Sequence, residues 1–290
     1  MADLYPNPNA QALRGLLEGG GLIMMPCCYD ALSAKMIEQA GFDLTFLSGF
    51  SASVSRIGAP DLGLMSYGEV LDQARNAMGA ISIPMIADGD TGYGNPMNVE
   101  RTVEGFARSG AAGVMIEDQV APKRCGHTKG KEVVGREEAE DRIRAAVEAK
   151  SRADILLMAR TDARRDLGLA EAIHRSQRAV ELGADLIFVE EPFSEEEMVK
   201  ICAEIPAPVC ANMLEGGQTP ILLPDRLEEI GFRIAAYPLT CLSASMKAMA
   251  KTLAALKRGE DHQADLLEFQ DLRQRVGFED YYAKEEKYRR

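Results

Sequence analysis

Three stretches of the chain concentrate side chains that do chemistry. Residues 87–95 read ADGDTGYGN, with carboxylates Asp88 and Asp90 set among glycines 89, 92 and 94. Paired carboxylates in a tightly turning segment suit Mg²⁺, which takes one or two protein carboxylates and fills its shell with water and substrate oxygens. Strand alternation predicts both carboxylates on one side. An EF-hand is excluded, because the twelfth residue from Asp88 is Val99 rather than Glu. Residues 117–127 read EDQVAPKRCGH and place Lys123, Arg124 and His127 around one thiol, Cys125. Cationic neighbours favour a thiolate, or let the thiol donate a proton and be recharged by His127. This is no P-loop, since Lys131 is followed by Glu132. A Cys/His zinc site lacks a second cluster, and a nucleophile triad lacks an evident orienting acid. In the third set, Arg160 in LLMARTDAR can fork onto a carboxylate. Asn212, Glu215 and Thr219 in ANMLEGGQTP can arrange hydrogen bonds to it or to a substrate. His174 and His262 are expected on the surface.

These residues need a frame. Eight short apolar runs alternate with longer helical patterns, at 22–25, 44–47, 84–87, 113–116, 155–159, 186–189, 208–211 and 234–236. Several runs follow a helix that ends in glycine, as in VELGAD and EEIGFR. The pattern predicts an α/β fold, a (β/α)₈ TIM barrel. An open doubly wound sheet is disfavoured by the absence of G-x-G-x-x-G after the first run. Just past the runs stand Ser48, Asp88 with Asp90, Glu117 with Asp118, Arg160 with Asp162, Glu190 with Glu191, and Asn212. In a barrel these positions converge at the C-terminal mouth, where such folds hold their chemistry. The barrel is assigned to residues 1–245 and a helical extension to 246–290. The extension's Leu266, Leu267, Phe269 and Leu272 need a partner surface, and a neighbouring subunit is the expected one.

The net charge of −12 argues against nucleic acid and anionic membranes, both of which need basic patches. No apolar run approaches the ~20 residues that span a bilayer, and the first residues show no secretory pattern. A cytoplasmic location is the expectation. The six cysteines form no C-x-x-C pair. Cys210 and Cys241, in apolar stretches, are expected to be packed thiols, and Cys125, between charged residues and Gly126, is the one that looks chemical.

GDTGYGNPMNVERTV, EDQVAPKRCGH, ARTDAR and ANMLEGGQTP together resemble the isocitrate lyase / phosphoenolpyruvate mutase superfamily, and KRCGH resembles the signature of its lyase branch. The resemblance implies a barrel whose eighth helix is swapped between subunits, in dimers that pair into a homotetramer. It implies Mg²⁺, replaceable by Mn²⁺, held mostly through water by Asp61, Asp88, Asp90 and Glu117. The 2-oxo acid part of the substrate would meet that metal and the amides near Ser48, Gly49 and Phe50. Arg160 would grip its carboxylate, with Glu190 and Asn212 lining the same end; apart from the resemblance, Gly126, Glu215 and Thr219 are also assigned to substrate binding. Cys125 would protonate the departing carbanion, supported by Lys123 and His127; no base is assigned for the hydroxyl proton. The stretches GFSASVSRIGAPDLGL, KRCGHTKGKEVV and NMLEGGQTP resemble the group around 2,3-dimethylmalate lyase and the petal death protein more than the 2-methylisocitrate lyases. In the latter the last stretch reads N-x-T-E-F-G-x-T-P, and Met213-Leu214 and Gly216-Gly217 depart from it. The expected reaction is cleavage of the C2–C3 bond of a substituted malate to pyruvate and a carboxylic acid. Oxaloacetate hydrolysis is the alternative, and isocitrate cleavage or phosphonate-bond mutation is less favoured.

Overall fold

The computed structural model describes residues 6–125, 130 and 132–289. The chain divides into two compact units, Met1–Thr240 and Cys241–Arg290.

The first unit is a closed parallel barrel in the strand order β1 to β8. Its strands are β1 (Ile23–Cys28), β2 (Thr45–Leu47), β3 (Met85–Asp88), β4 (Gly113–Glu117), β5 (Leu156–Thr161), β6 (Leu186–Val189), β7 (Val209–Asn212) and β8 (Ile234–Tyr237). Ile23 of β1 lies opposite Ile234 of β8 and closes the ring. All eight runs expected from the sequence are strands, as the barrel reading requires. The differences lie at the C-terminal ends, where the ladder runs further than the apolar runs do. Asp88, Glu117, Arg160 and Asn212 are therefore the last or penultimate residues of strands rather than the first of loops.

Helices preceding and covering these strands are α1 (Pro8–Glu18), α2 (Ala31–Gln39), α3 (Gly49–Ile57), α4 (Tyr67–Met78), α5 (Pro96–Arg108) and α6 (Arg136–Arg152). The remainder of this set is α7 (Arg164–Leu167), α8 (Leu169–Leu182), α9 (Glu195–Glu204) and α10 (Pro224–Ile230). α5 shows why they form. Asn95 caps its first turn, Pro96 stands where no amide partner is lost, and Val99, Thr102, Val103 and Phe106 recur at helical spacing on the buried face. Gly183 and Gly231 end α8 and α10 at φ 115° and 107°, conformations that a side chain resists.

α1 was not anticipated from the sequence, although Asn7 capping, Pro8 and the Ala10/Leu13 spacing announce it. It stoppers the N-terminal end of the barrel. Ala10 and Leu13 are fully buried with Met25, Leu44, Ile86, Leu156, Leu186 and Ile234. The Asn7 amide donates to the carbonyls of Ala111 (2.7 Å) and Asp154 (3.0 Å), just ahead of β4 and β5.

The second unit continues α11 (Thr240–Arg258), followed by α12 (Phe269–Val276) and α13 (Phe278–Glu286). Met249, Leu253, Leu256, Phe269, Leu272 and Tyr281 are exposed on it. Among the described residues no helix is long and apolar enough to cross a membrane.

Candidate active site

A cavity of about 610 Å³ opens at the C-terminal mouth, and every strand, or the residue after it, contributes to its wall. Ser48, Gly49, Asp61, Asp88, Lys123, Cys125, Arg160, Glu190 and Asn212 form its polar side. Phe46, Met115, Phe188, Leu214, Pro238 and Leu239 form an apolar side.

Ser48 follows β2 and caps α3, its hydroxyl accepting from Ser51 N–H (3.3 Å). The next amide, Gly49 N–H, donates to Asp88 Oδ2 (3.1 Å). A Cβ on Gly49 would lie 2.4 Å from that oxygen, so any side chain here would push the Asp88 carboxylate from its place. Asp88 Oδ1 accepts from Asp90 N–H (3.0 Å), and Asp90 adopts a left-handed φ of 48°. This corrects the alternation argument. The strand stops at Asp88, and the two carboxylates meet through an aspartate-bonded turn rather than through period-two spacing.

Lys123 comes from the β4 loop and is 5% exposed. Its ammonium lies 2.7 Å from Asp61 Oδ2 and 2.8 Å from Asp90 Oδ1. Burial pushes the Asp90 carboxyl up to about 6 against the pull of Lys123, with Asp88 and Asp61 adding to the rise. Burial acts against the charge of Lys123, but Asp90, Asp88, Asp61 and Glu117 outweigh it and hold its pKa well above the usual range. Glu117 is 2% exposed, and burial drives its carboxyl well upward despite Arg160 and Lys123. Among the described residues neither Glu117 oxygen accepts a hydrogen bond. Tyr93, also at left-handed φ (62°), has its hydroxyl buried near this cluster, and burial followed by Asp90 raises its pKa. Sequence reasoning passed over it.

Arg160 lies opposite Glu117 on β4 and Phe188 on β6. Its Nε and Nη2 edge is taken by Asp162, at 2.8 and 3.1 Å, which fixes the plane of the guanidinium. Glu117 and Glu190 stand 3.4 and 3.5 Å from it. Asn212 Nδ2 donates to Glu190 Oε1 (3.1 Å). Asp118 faces away and ties β4 to β5 and α8, accepting from Thr161 Oγ1 (2.7 Å), Asp162 N–H (2.9 Å) and Arg175 Nη1 (3.0 Å).

Cys125 is partly exposed at the cavity wall. Its segment is clipped by Gln119, whose side chain donates to Arg124 O and accepts from Arg124 N–H, both at 2.9 Å. Gly126 and His127 lie outside the described residues. Phe50 lines the cavity, whereas Glu215 and Thr219 do not. Glu215 is exposed and accepts from Thr240 Oγ1 (2.6 Å). Thr219 is buried in a small separate cavity with Val189, Val209 and Phe232. Cys210 is a packed thiol whose pKa burial pushes up, while Cys241 is only partly buried. His174 and His262, expected on the surface, are each partly buried. Among the described residues no three His, Cys, Asp or Glu side chains are grouped so that they could hold a metal ion by themselves.

A family model described as phosphoenolpyruvate phosphomutase matches residues 13–257. The chain belongs to the phosphoenolpyruvate mutase/isocitrate lyase superfamily. It is accordingly an enzyme of a superfamily of carbon–carbon lyases and mutases. A 2,3-dimethylmalate lyase from Eubacterium barkeri is 41% identical over 91% of this chain and 93% of its own. A 2-methylisocitrate lyase from Aeropyrum pernix is 39% identical over 98% and 94%. Among solved structures, an oxaloacetate acetylhydrolase complexed with the inhibitor 3,3-difluorooxalacetate superposes with a TM-score of 0.91, at 37% identity and 96% coverage of both chains. A phosphonopyruvate hydrolase complex with oxalate and Mg²⁺ gives 0.86, at 30% identity over 97% of this chain and 99% of that one.

Proposed function

We propose that this superfamily enzyme is a Mg²⁺-dependent lyase that cleaves the C2–C3 bond of a methyl-substituted malate, releasing pyruvate and a carboxylic acid. The observation that carries the reading is the placement of Cys125 on the wall of one cavity with a buried acidic cluster and a clamped arginine.

The residues present fit a hydrated divalent cation. Asp61, Asp88, Asp90 and Glu117 offer oxygen ligands only, all are buried, and the two Glu117 oxygens accept no hydrogen bond among the described residues. These four would hold Mg²⁺, or Mn²⁺ in its place, largely through water. When bound, the metal supplies a Lewis acid for the oxygens of the nascent 2-oxo acid. Arg160, its plane set by Asp162, binds the carboxylate next to C2. Glu190 and Asn212 shape the same end. Once the C2 hydroxyl has lost its proton, C2–C3 cleavage leaves a carbonyl on one fragment and carbanion character on the other. The Cys125 thiol protonates that carbon and leaves a thiolate, which Lys123 and His127 are placed by sequence to support.

The apolar side of the cavity favours methyl groups over a third carboxylate. Among its described cations, Lys123 is engaged by Asp61 and Asp90 and Arg160 by Asp162, while Arg124 also lines the wall and is the cation nearest in sequence to Cys125. A second reading, oxaloacetate hydrolysis to oxalate and acetate, is favoured by the superposition on the acetylhydrolase. The exposed Leu253, Leu256, Leu266, Leu267 and Phe269 support docking of the C-terminal extension on another subunit, in a homotetramer.

The test is product release with Mg²⁺ on 2,3-dimethylmalate, 2-methylmalate, 2-methylisocitrate, isocitrate and oxaloacetate in parallel. Preference for the two malates supports the reading. Turnover confined to 2-methylisocitrate, or to acetate release from oxaloacetate, overturns the substrate assignment.

A further inference from the structure

Lys123 makes two short ion pairs, and both fall on carboxylates that the functional reading gives to the metal. Asp61 and Asp90 arrive from different parts of the chain, one ahead of α4 and one after β3, and the Lys123 ammonium joins them at 2.7 and 2.8 Å. Among the described residues no other cationic side chain pairs with either. The ammonium also lies beside Gly49, where a Cβ would come within 3.3 Å of it and 2.4 Å of Asp88 Oδ2. It thus sits inside the acidic cluster. Four buried carboxylates face it, and the two oxygens of Glu117 accept no hydrogen bond from the described residues.

We propose that Lys123 is a displaceable internal cation of this site: its ammonium holds Asp61 and Asp90 together until a divalent cation takes them, and its release frees the segment that carries Cys125. The inference rests on the metal reading above. An ammonium donates to carboxylate lone pairs at the same positions that a divalent ion or its waters would use, and the two cations repel when brought together. Occupation by one therefore weakens occupation by the other.

The consequence for chemistry follows from chain geometry. Lys123 lies two residues before Cys125, on a segment that the two Gln119–Arg124 hydrogen bonds also hold. With its ammonium buried in the cluster, Lys123 is a tether for the thiol. Withdrawn from the cluster, it becomes a cation beside that thiol, the place the lyase chemistry gives it. The same side chain thus links metal binding to readiness of the proton donor.

The experiment uses the full-length protein freed of metal by a chelator, without substrate. Calorimetry measures Mg²⁺ binding to the wild type and to Lys123→Met, which keeps the length of the side chain and removes its charge. Iodoacetamide labelling, read at Cys125 by peptide mass spectrometry, measures the freedom of the thiol with and without Mg²⁺. Lys123→Met is expected to bind Mg²⁺ roughly tenfold tighter or more, a change opposite in sign to that of a damaged site. Cys125 of the wild type is expected to label several-fold faster at saturating Mg²⁺, and Cys125 of Lys123→Met to label fast with or without it. Asp61→Asn, which removes one anchor, is expected to speed labelling without Mg²⁺ and serves if Lys123→Met does not fold. Equal or weaker Mg²⁺ binding by folded Lys123→Met overturns the inference, as does a wild-type labelling rate unmoved by Mg²⁺ that demonstrably binds. A wild type that binds no Mg²⁺ removes the metal reading itself.

Discussion

The two ends of the barrel are made by the same eight strands and obey opposite rules. At the N-terminal end α1 buries Ala10 and Leu13 against Met25, Leu44, Ile86 and Leu156, and the Asn7 amide satisfies two strand-leading carbonyls. At the C-terminal end Asp61, Asp88, Lys123 and Glu190 line one mouth, with Asp90 and Glu117 buried just behind its wall against Lys123 and Arg160. The three non-glycine residues with positive φ among the described residues, Asp90, Tyr93 and Glu191, stand there too. Buried charge and strained backbone both cost stability. One end therefore stabilises the fold, and the other uses part of that stability to assemble a site.

The contrast is sharpest at Cys125 and Leu13. Cys125→Ser is expected to lower kcat by roughly 10²–10⁴, the range a positioned acid supplies, with KM and the melting temperature nearly unchanged. Steady-state kinetics check this, and a rise in KM at constant kcat contradicts the acid role. Leu13→Ala should do the reverse. It is expected to cost about 2–5 kcal/mol of stability in urea titrations, with kcat per folded molecule unchanged. Asn7→Ala is a milder version, about 1–2 kcal/mol for a lost cap. A large kcat effect from either variant would break the division of labour.

The smallest effect is in pH, and its sign differs between regions. Asp90 in the mouth is raised by burial to about 6 from an ordinary 3.8, so between these values the folded chain holds a proton that the unfolded chain has released. Its contribution to stability falls as pH rises through that window. Glu171, on the outer face of α8, is pulled down to about 2 from 4.5, first by hydrogen bonds from Arg136 and then by Arg175. Its contribution is fully present above about 4.5 and is lost as pH falls towards 2. In metal-free protein, Asp90→Asn is expected to flatten the first slope of melting temperature against pH and Glu171→Gln the second.

The strands were legible because each is a short apolar run, often entered from a glycine-ended helix, and eight of them imply closure. Mouth residues were legible for a related reason: a charge at the end of such a run has little structural use there. What the sequence hid was partner choice. Lys123 reaches Asp61 across 62 positions, a pairing that the closed barrel creates and no local pattern records. Asp162 is two residues from Arg160 and reads as a neighbour on the strand, whereas it clamps the guanidinium. Asp90 was assigned the right neighbour for the wrong reason, because alternation ends where its backbone turns left-handed. Glu215 and Thr219 were chosen for hydrogen-bonding capacity alone, and the cavity excludes both from its wall.

The most direct test of the account is pyruvate release from 2,3-dimethylmalate as Mg²⁺ is titrated into chelator-treated enzyme, with Asp90→Asn run alongside. A rate that rises and saturates with Mg²⁺ in the wild type, and stays near zero in Asp90→Asn, is the predicted result. Pyruvate release that needs no divalent metal, or that survives intact in Asp90→Asn, would contradict the claim that the acidic mouth is a metal-dependent lyase centre.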